Sequence, residues 1–146
     1  MKCLLVFLLG FILILPYNQK AIAQEKGKIT ICFENLNNSN GHIIAALYNK
    51  KDGFPQDRSK VFMSTKAEIK DKKAYLTFEN VPFGEYAIAS FHDENDNGVM
   101  DKNFFGIPKE KYGFSNNPKV LFSAPSFDDA KFMHKLSETS IIIKMK

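Results

Sequence analysis

Lys73-Ala74-Tyr75-Leu76-Thr77-Phe78-Glu79, followed at once by Asn80-Val81-Pro82-Phe83-Gly84, decides the class of fold. Ala74, Leu76 and Phe78 recur at every second position between Lys73, Tyr75, Thr77 and Glu79. That is the period of a strand with one face against a core and the other in water. The Asn80–Gly84 segment then supplies turn residues that end it. The same alternation places Ile29, Ile31 and Phe33 opposite Thr30, Cys32 and Glu34, and Ile141, Ile143 and Met145 opposite Ser140, Ile142 and Lys144. His42 through Tyr48 and Glu85 through Phe91 are apolar on both faces, as expected for strands in mid-sheet or under a loop. Val61 through Ile69 and Val120 through Ser123 are weaker strands. Turn signals stand at Asn37–Gly41, Lys51-Asp52-Gly53 and Asp96-Asn97-Gly98. About seven short strands without a long helix predict an all-β, immunoglobulin- or transthyretin-like β-sandwich with one long loop. Short helical turns are expected within Pro55–Val61 and Ser126–Leu136, with Ser126 and Asp128 as candidate caps.

Outside that domain, residues 1–23 read as a signal peptide. Lys2 precedes the apolar run Leu4–Leu15, Pro16 breaks it, and Ala21-Ile22-Ala23 offers a small-x-small cleavage site before Gln24. The run is shorter than the ~20 residues a membrane span needs, so no span is expected after cleavage. A single domain over residues 24–146, exported to the periplasm or beyond the cell, follows. The chain has 146 residues and a formal net charge of +4. Losing Lys2 and Lys20 brings the domain nearer neutrality, which gives no reason to expect a nucleic-acid partner. Cys32 is then the one remaining thiol, so stability must come from burial, hydrogen bonding or a metal rather than from an internal disulfide.

The stretch from Asp93 to Lys119 carries no strand period, and connections that long are usually functional or packed covers. It begins with Asp93-Glu94-Asn95-Asp96-Asn97-Gly98-Val99-Met100-Asp101. Asp93, Asn95, Asn97 and Asp101 sit on alternating positions, so their oxygens can converge with the Val99 carbonyl on a hard cation, and Gly98 allows the sharp turn. A true EF-hand is excluded, because its twelfth position, a Glu in that motif, is Phe104 here and the flanks are not helical. Calcium is the expected ion. The alternative is an acidic hairpin in which Asn97-Gly98 makes a type I′ turn, although self-repulsion among Asp93, Glu94, Asp96 and Asp101 favours a bound cation. Further along, Phe104, Phe105, Tyr112 and Phe114 are interleaved with Gly106, Pro108 and Gly113. These rings either plug one end of the sandwich or form a ligand platform for a sugar or other flat molecule. His92, Asp93 and Glu110 are the residues a hydrolase would use, but no complete nucleophile–base–orienter set is visible. His42 and His134 lack zinc spacing.

Taken together, Phe83-Gly84-Glu85-Tyr86-Ala87-Ile88, the His92–Asp101 loop, Phe105-Gly106-Ile107-Pro108 through Tyr112-Gly113-Phe114-Ser115-Asn116-Asn117, and Pro125-Ser126-Phe127 resemble the bacterial secreted family catalogued as domain of unknown function 2141. The likeness runs from about Ile29 to Lys144. It implies an exported single-domain β-sandwich of Gram-negative bacteria. The Val81–Tyr86 turn also resembles that of transthyretin-like modules. The function expected from all of this is a non-enzymatic accessory or binding module with a structural calcium loop, acting on an envelope protein, a peptide or a carbohydrate. The alternatives are a metal-free envelope protein and the hydrolase just described.

Overall fold

The computed structural model describes residues 25–120 and 123–146. The leader expected over 1–23 lies outside them. The elements run β1 (Lys26–Glu34), β2 (His42–Tyr48), a 3-10 turn (Arg58–Lys60), β3 (Met63–Lys70), β4 (Lys73–Pro82), β5 (Gly84–Asp93), β6 (Tyr112–Phe114), α1 (Phe127–Ala130), β7 (Phe132–His134) and β8 (Glu138–Lys144). The chain is nearly all-β, as expected, and the helical turns fall within the two expected segments, Pro55–Val61 and Ser126–Leu136. Ser126 caps α1 in a capping box with Asp129, whereas Asp128 pairs with Lys51 and Lys131.

The strands form one path, β6-β5-β2-β3-β4-β1-β8, with β7 added to the start of β5. All pairings are antiparallel except β1 with β8. β3 joins the two halves, pairing with β2 over Met63–Glu68 and with β4 over Ile69–Lys70. The far ends of the path also meet. Tyr112 and Lys146 exchange backbone hydrogen bonds of 3.2 and 2.8 Å, which bring β6 against the end of β8 and make a near-barrel.

The inward residues are the ones that the alternation selects. Ile29, Ile31, Phe33, Ile43, Leu47, Ile88 and Ile143 are completely buried, and Leu76 and Phe78 of β4 nearly so. Each such side chain contributes about 1.5–3 kcal/mol relative to exposure. Gly113 makes the closure possible. A Cβ there would stand 2.4 Å from Ile143 Cγ2 and 2.9 Å from Met145 Sδ, so a larger residue would push β6 off the barrel. A second, smaller core lies on the outer side of β2 and β5, where Phe54 meets Tyr48, Phe114 and Phe127 edge-on at centroid distances of 5.2, 6.2 and 5.8 Å. This explains why β2 and β5 are apolar on both faces.

One expected strand is corrected. Residues 120 and 123 carry no strand, and 121–122 lie outside the described residues. The pairing expected there is made instead by β6, whose three residues are too few to show a period, and by β7.

β8 is an edge strand beyond its pairing with β1, and Asn117 covers it. Its carboxamide donates to Ile142 O at 2.9 Å and accepts from Lys144 N at 2.7 Å, occupying the place of a neighbouring strand. Asn117→Ala should therefore destabilise the domain by about 1–2 kcal/mol, the net worth of two such bonds. Hydrogen exchange should report faster exchange at the Lys144 amide than at residues of β2. Unchanged protection at Lys144 would show that the carboxamide does not pair the edge.

Candidate functional site

The acidic loop leaves the end of β5, and its first carboxylate is turned inward. Asp93 is buried and accepts from Asn97 N at 3.1 Å and Gly98 N at 2.8 Å. Each following Asn caps the backbone two residues on, Asn95 Oδ1 accepting from Asn97 N and Asn97 Oδ1 from Val99 N. The left-handed residues are Asp96 and Gly98, with φ of 57° and 77°, and not Asn97. A type I′ turn on Asn97-Gly98 is thus not formed. The carboxamides of Asn95 and Asn97 donate to the two oxygens of Asp101 at 2.8 and 3.1 Å. Four of the five predicted calcium-binding residues are brought together in this way. The fifth is Val99, whose carbonyl is the expected ligand; it stands on the loop with its amide bonded to Asn97 Oδ1 and its side chain exposed.

The remaining loop carboxylates also have partners. Asp96 pairs with His42 Nδ1 at 2.5 Å, and Glu94 accepts from Asn38 Nδ2 at 3.0 Å. Their mutual repulsion is thereby offset by hydrogen-bond donors. Among the described residues, no group of three or more His, Cys, Asp or Glu side chains is arranged to hold a metal ion.

Glu110 ties the loop shut at its base. This buried carboxylate accepts from Glu94 N through Oε1 and from Asp101 N through Oε2, both at 3.0 Å. His92 is completely buried, and Nε2 lies 2.7 Å from Asn40 O. A carbonyl can only accept, so Nε2 carries the proton and Nδ1, 3.7 Å from Glu94 Oε1, is left without a hydrogen-bond partner. Gly41 permits this close approach of the 37–41 turn to β5, because a Cβ there would fall 1.9 Å from Asp93 O. The three residues of the hydrolase alternative, His92, Asp93 and Glu110, thus face backbone groups inside the loop's foundation.

Beyond the loop, the chain makes a small hairpin. Lys102 bridges to Pro108, and the Asn103 side chain accepts from the amides of Phe105 and Ile107. Phe104 and Phe105 stand out in water at 97% and 82% exposure, edge to face with each other. Tyr112 is half-buried, and Phe114 is 9% exposed within the second core. The four aromatic residues therefore divide into an exposed pair and a packed pair.

Between this hairpin and the 55–61 segment lies an open apolar groove of about 960 Å³. Ile44, Ala46, Ala89 and Phe91 form its floor, and Val99, Phe105 and Ile107 line its rim together with Tyr112 and Phe114. Phe104 does not line it. The sequence offers no direct sign of this groove, because its walls are far apart in the chain. Arg58 spans the walls, donating from Nη1 to Gly98 O at 2.8 Å. Tyr48 donates to Pro55 O at 3.1 Å, and burial, assisted by Asp57, raises its phenol above the ordinary value. The Ser59 hydroxyl and amide hold the Asp57 carboxyl below the usual carboxylate range, which keeps the 3-10 turn capped.

Two results are expected. Phe104→Ala and Phe105→Ala should each shift stability by less than about 0.5 kcal/mol, as exposed sites do, whereas Phe114→Ala should cost about 3–5 kcal/mol; thermal melts of the three variants decide this. Glu110→Gln can keep only one of the two amide bonds well made, so a loss of about 1–3 kcal/mol is expected. Amide exchange at Glu94 and Asp101 should accelerate with it. Wild-type protection in that variant would remove Glu110 from its anchoring role.

Residues 29–142 match the model of a family described as "Uncharacterized protein conserved in bacteria", domain of unknown function 2141. No curated protein and no solved structure matches the chain. Among the described residues, no helix is long and apolar enough to cross a membrane.

Proposed function

The chain belongs to the domain of unknown function 2141 family, and for this member of it we propose an exported, non-enzymatic binding module whose groove takes the ligand and whose acidic loop, loaded with calcium, stiffens the groove's wall. The observation that carries this reading is the continuity of the two features. The loop that gathers Asp93, Asn95, Asn97 and Asp101 carries Val99 and runs directly into the hairpin of Phe105 and Ile107, and these three side chains rim an apolar groove. Exposed apolar rims of this kind mark interaction sites in soluble proteins. Export is read from the leader pattern of residues 1–23. For the finer fold we propose an immunoglobulin- or transthyretin-like sandwich whose two halves meet where β3 passes from β2 to β4 and at the β6–β8 contact that makes the near-barrel.

The loop's composition suits calcium. Asn95, Asn97 and Asp101 already touch at 2.8 and 3.1 Å, and turning the two carboxamides end for end would present oxygens instead of amide nitrogens. Carboxylate, carboxamide and carbonyl oxygens on a flexible loop are the donors that calcium prefers, and magnesium's rigid octahedral shell suits them less well. Bound there, the ion would supply positive charge between Asp93 and Asp101 and hold the loop that ends at Val99.

Extracellular calcium modules have dissociation constants of about 10⁻⁴–10⁻³ M, and no bidentate Glu closes this loop. At about 1 mM calcium and a dissociation constant of about 0.1 mM, linkage adds roughly 1.4 kcal/mol. The melting temperature should then rise by roughly 4–10 °C. Asp101→Ala should abolish the response and keep the fold. Wild type and Asp101→Ala melting alike in calcium and in chelator, with no heat of binding at millimolar calcium, would reduce the loop to a hydrogen-bonded turn and the metal assignment would fall.

A further inference from the structure

The register of the sheet explains the groove's shape. Ser64 of β3 pairs with Ala46 of β2, Ala46 with Ala89 of β5, and Ala89 with Phe114 of β6. Three small side chains thus follow one another across three strands. The adjacent row on the same face, Ile44, Phe91 and Tyr112, is large. With strands about 4.8 Å apart, the floor is a trough on the order of 10 Å long, narrow and walled. Such a shape accepts a slender chain in preference to a broad ring.

The polar groups of the lining narrow the chemistry further. Arg58 and Lys102 line the groove, and no Asp or Glu does so among the described residues. One Arg58 donor is drawn to Gly98 O, but guanidinium presents five N–H donors, so others remain for an anion. Among the described residues Gln56 is the only carboxamide in the lining, and the only hydroxyls beside it are those of serine and tyrosine, with no carboxylate to accept from the many hydroxyls of a sugar. A peptide strand has no purchase either. The floor is a sheet face whose backbone groups are consumed in the β2, β3 and β5 ladders, whereas strand addition requires a free edge.

From this complementarity we infer that the groove binds a single-chain anionic amphiphile, a free long-chain carboxylate, with part of its alkyl chain in the trough over Ala46 and Ala89, the rest along the groove beneath Val99, Phe105 and Ile107, and its head at Arg58 and Lys102. The inference deepens the binding-module reading and rests on it. Val99, Phe105 and Ile107 then cover the alkyl chain from the hairpin side, a use for apolar side chains that water otherwise surrounds.

The test uses the purified chain, with palmitate below its aggregation concentration, hexadecanol and hexadecyltrimethylammonium as probes, and calorimetry and native mass spectrometry as readouts. Palmitate is expected to bind one per chain and at least about tenfold more tightly than hexadecanol, a factor equal to about 1.4 kcal/mol. Arg58→Gln combined with Lys102→Gln should erase that difference, so that palmitate and hexadecanol bind the double variant equally. Ala89→Phe should plug the trough and abolish both; if that variant fails to fold, Ala46→Leu replaces it. Equal binding of palmitate and hexadecanol, cationic amphiphile binding as tightly as palmitate, or palmitate binding that survives the plug would each overturn the inference. If a neutral oligosaccharide or an aromatic-rich peptide binds instead and the plug blocks it, the inference falls and the binding-module reading stands. If none of the probes binds and the plug changes nothing, both fall.

Discussion

A small sheet with one strongly apolar face must hide that face on every side, and in this domain the reciprocal pair of hydrogen bonds between Tyr112 and Lys146 completes the concealment. Without it, the path from β6 to β8 would be an open sheet, and Ile143 and Met145 at its edge would face water rather than Gly113. The closure demands a strand that can approach β8 closely, which is why the contact residue lacks a Cβ. It also demands a long connection from β5 to bring β6 into place, and that connection holds the acidic loop and the aromatic hairpin. The acidic loop and the hairpin are thus by-products of how the near-barrel closes.

The long connection is held by buried polar groups at its root. Asp93 and Glu110 each take two backbone amides that would otherwise be stranded where the loop leaves the sheet. Unpaired, each such amide costs on the order of 1–3 kcal/mol, so carboxylates that look like metal ligands or catalytic acids in the sequence have a structural task that accounts for their burial. Asn95, Asn97 and Asp101 differ in this respect. They lie on the exposed rim of the loop, where the Asn95 and Asn97 nitrogens bond to Asp101 while their oxygens cap the amides of Asn97 and Val99, so a cation would have to exchange for those bonds. The loop therefore has a fixed inner half and an exchangeable outer half, and the metal proposal concerns the outer half together with one inner carboxylate.

The groove arises from the same economy of packing. β2 and β5 carry apolar side chains on both faces, and the outer face is filled in one part by Phe54, Tyr48, Phe114 and Phe127 and left as a trough in another by Ala46 and Ala89. Where the rings pack, the face is a second core. Where the alanines stand, it is a depression walled by the 55–61 segment and the hairpin, with Arg58 bonding across to Gly98 O.

What the sequence by itself determined is the local pattern. The alternation in Lys73–Glu79 and its counterparts gave the inward residues of β1, β4 and β8, because side-chain direction in a strand depends only on position along it. The Ser126 cap and the loop around Gly98 are equally local, since an Asx or Ser side chain reaches only a few residues along the chain. Only the tertiary structure decided what depends on meetings between distant residues. Phe104 and Phe114 look alike in sequence, yet one is in water and the other in a core, because the hairpin projects outward while β6 is drawn in by pairing with Ala89 and Ser90. The three-residue β6 was too short to carry a period, so its place was invisible until β5 and Lys146 came to either side of it. The trough of Ser64, Ala46 and Ala89 exists only through strand register, and the cationic side chains beside it come from segments more than 40 residues apart in the chain. Neither neighbourhood is written in any local stretch, since a chain encodes its neighbours in space only through the fold that brings them together.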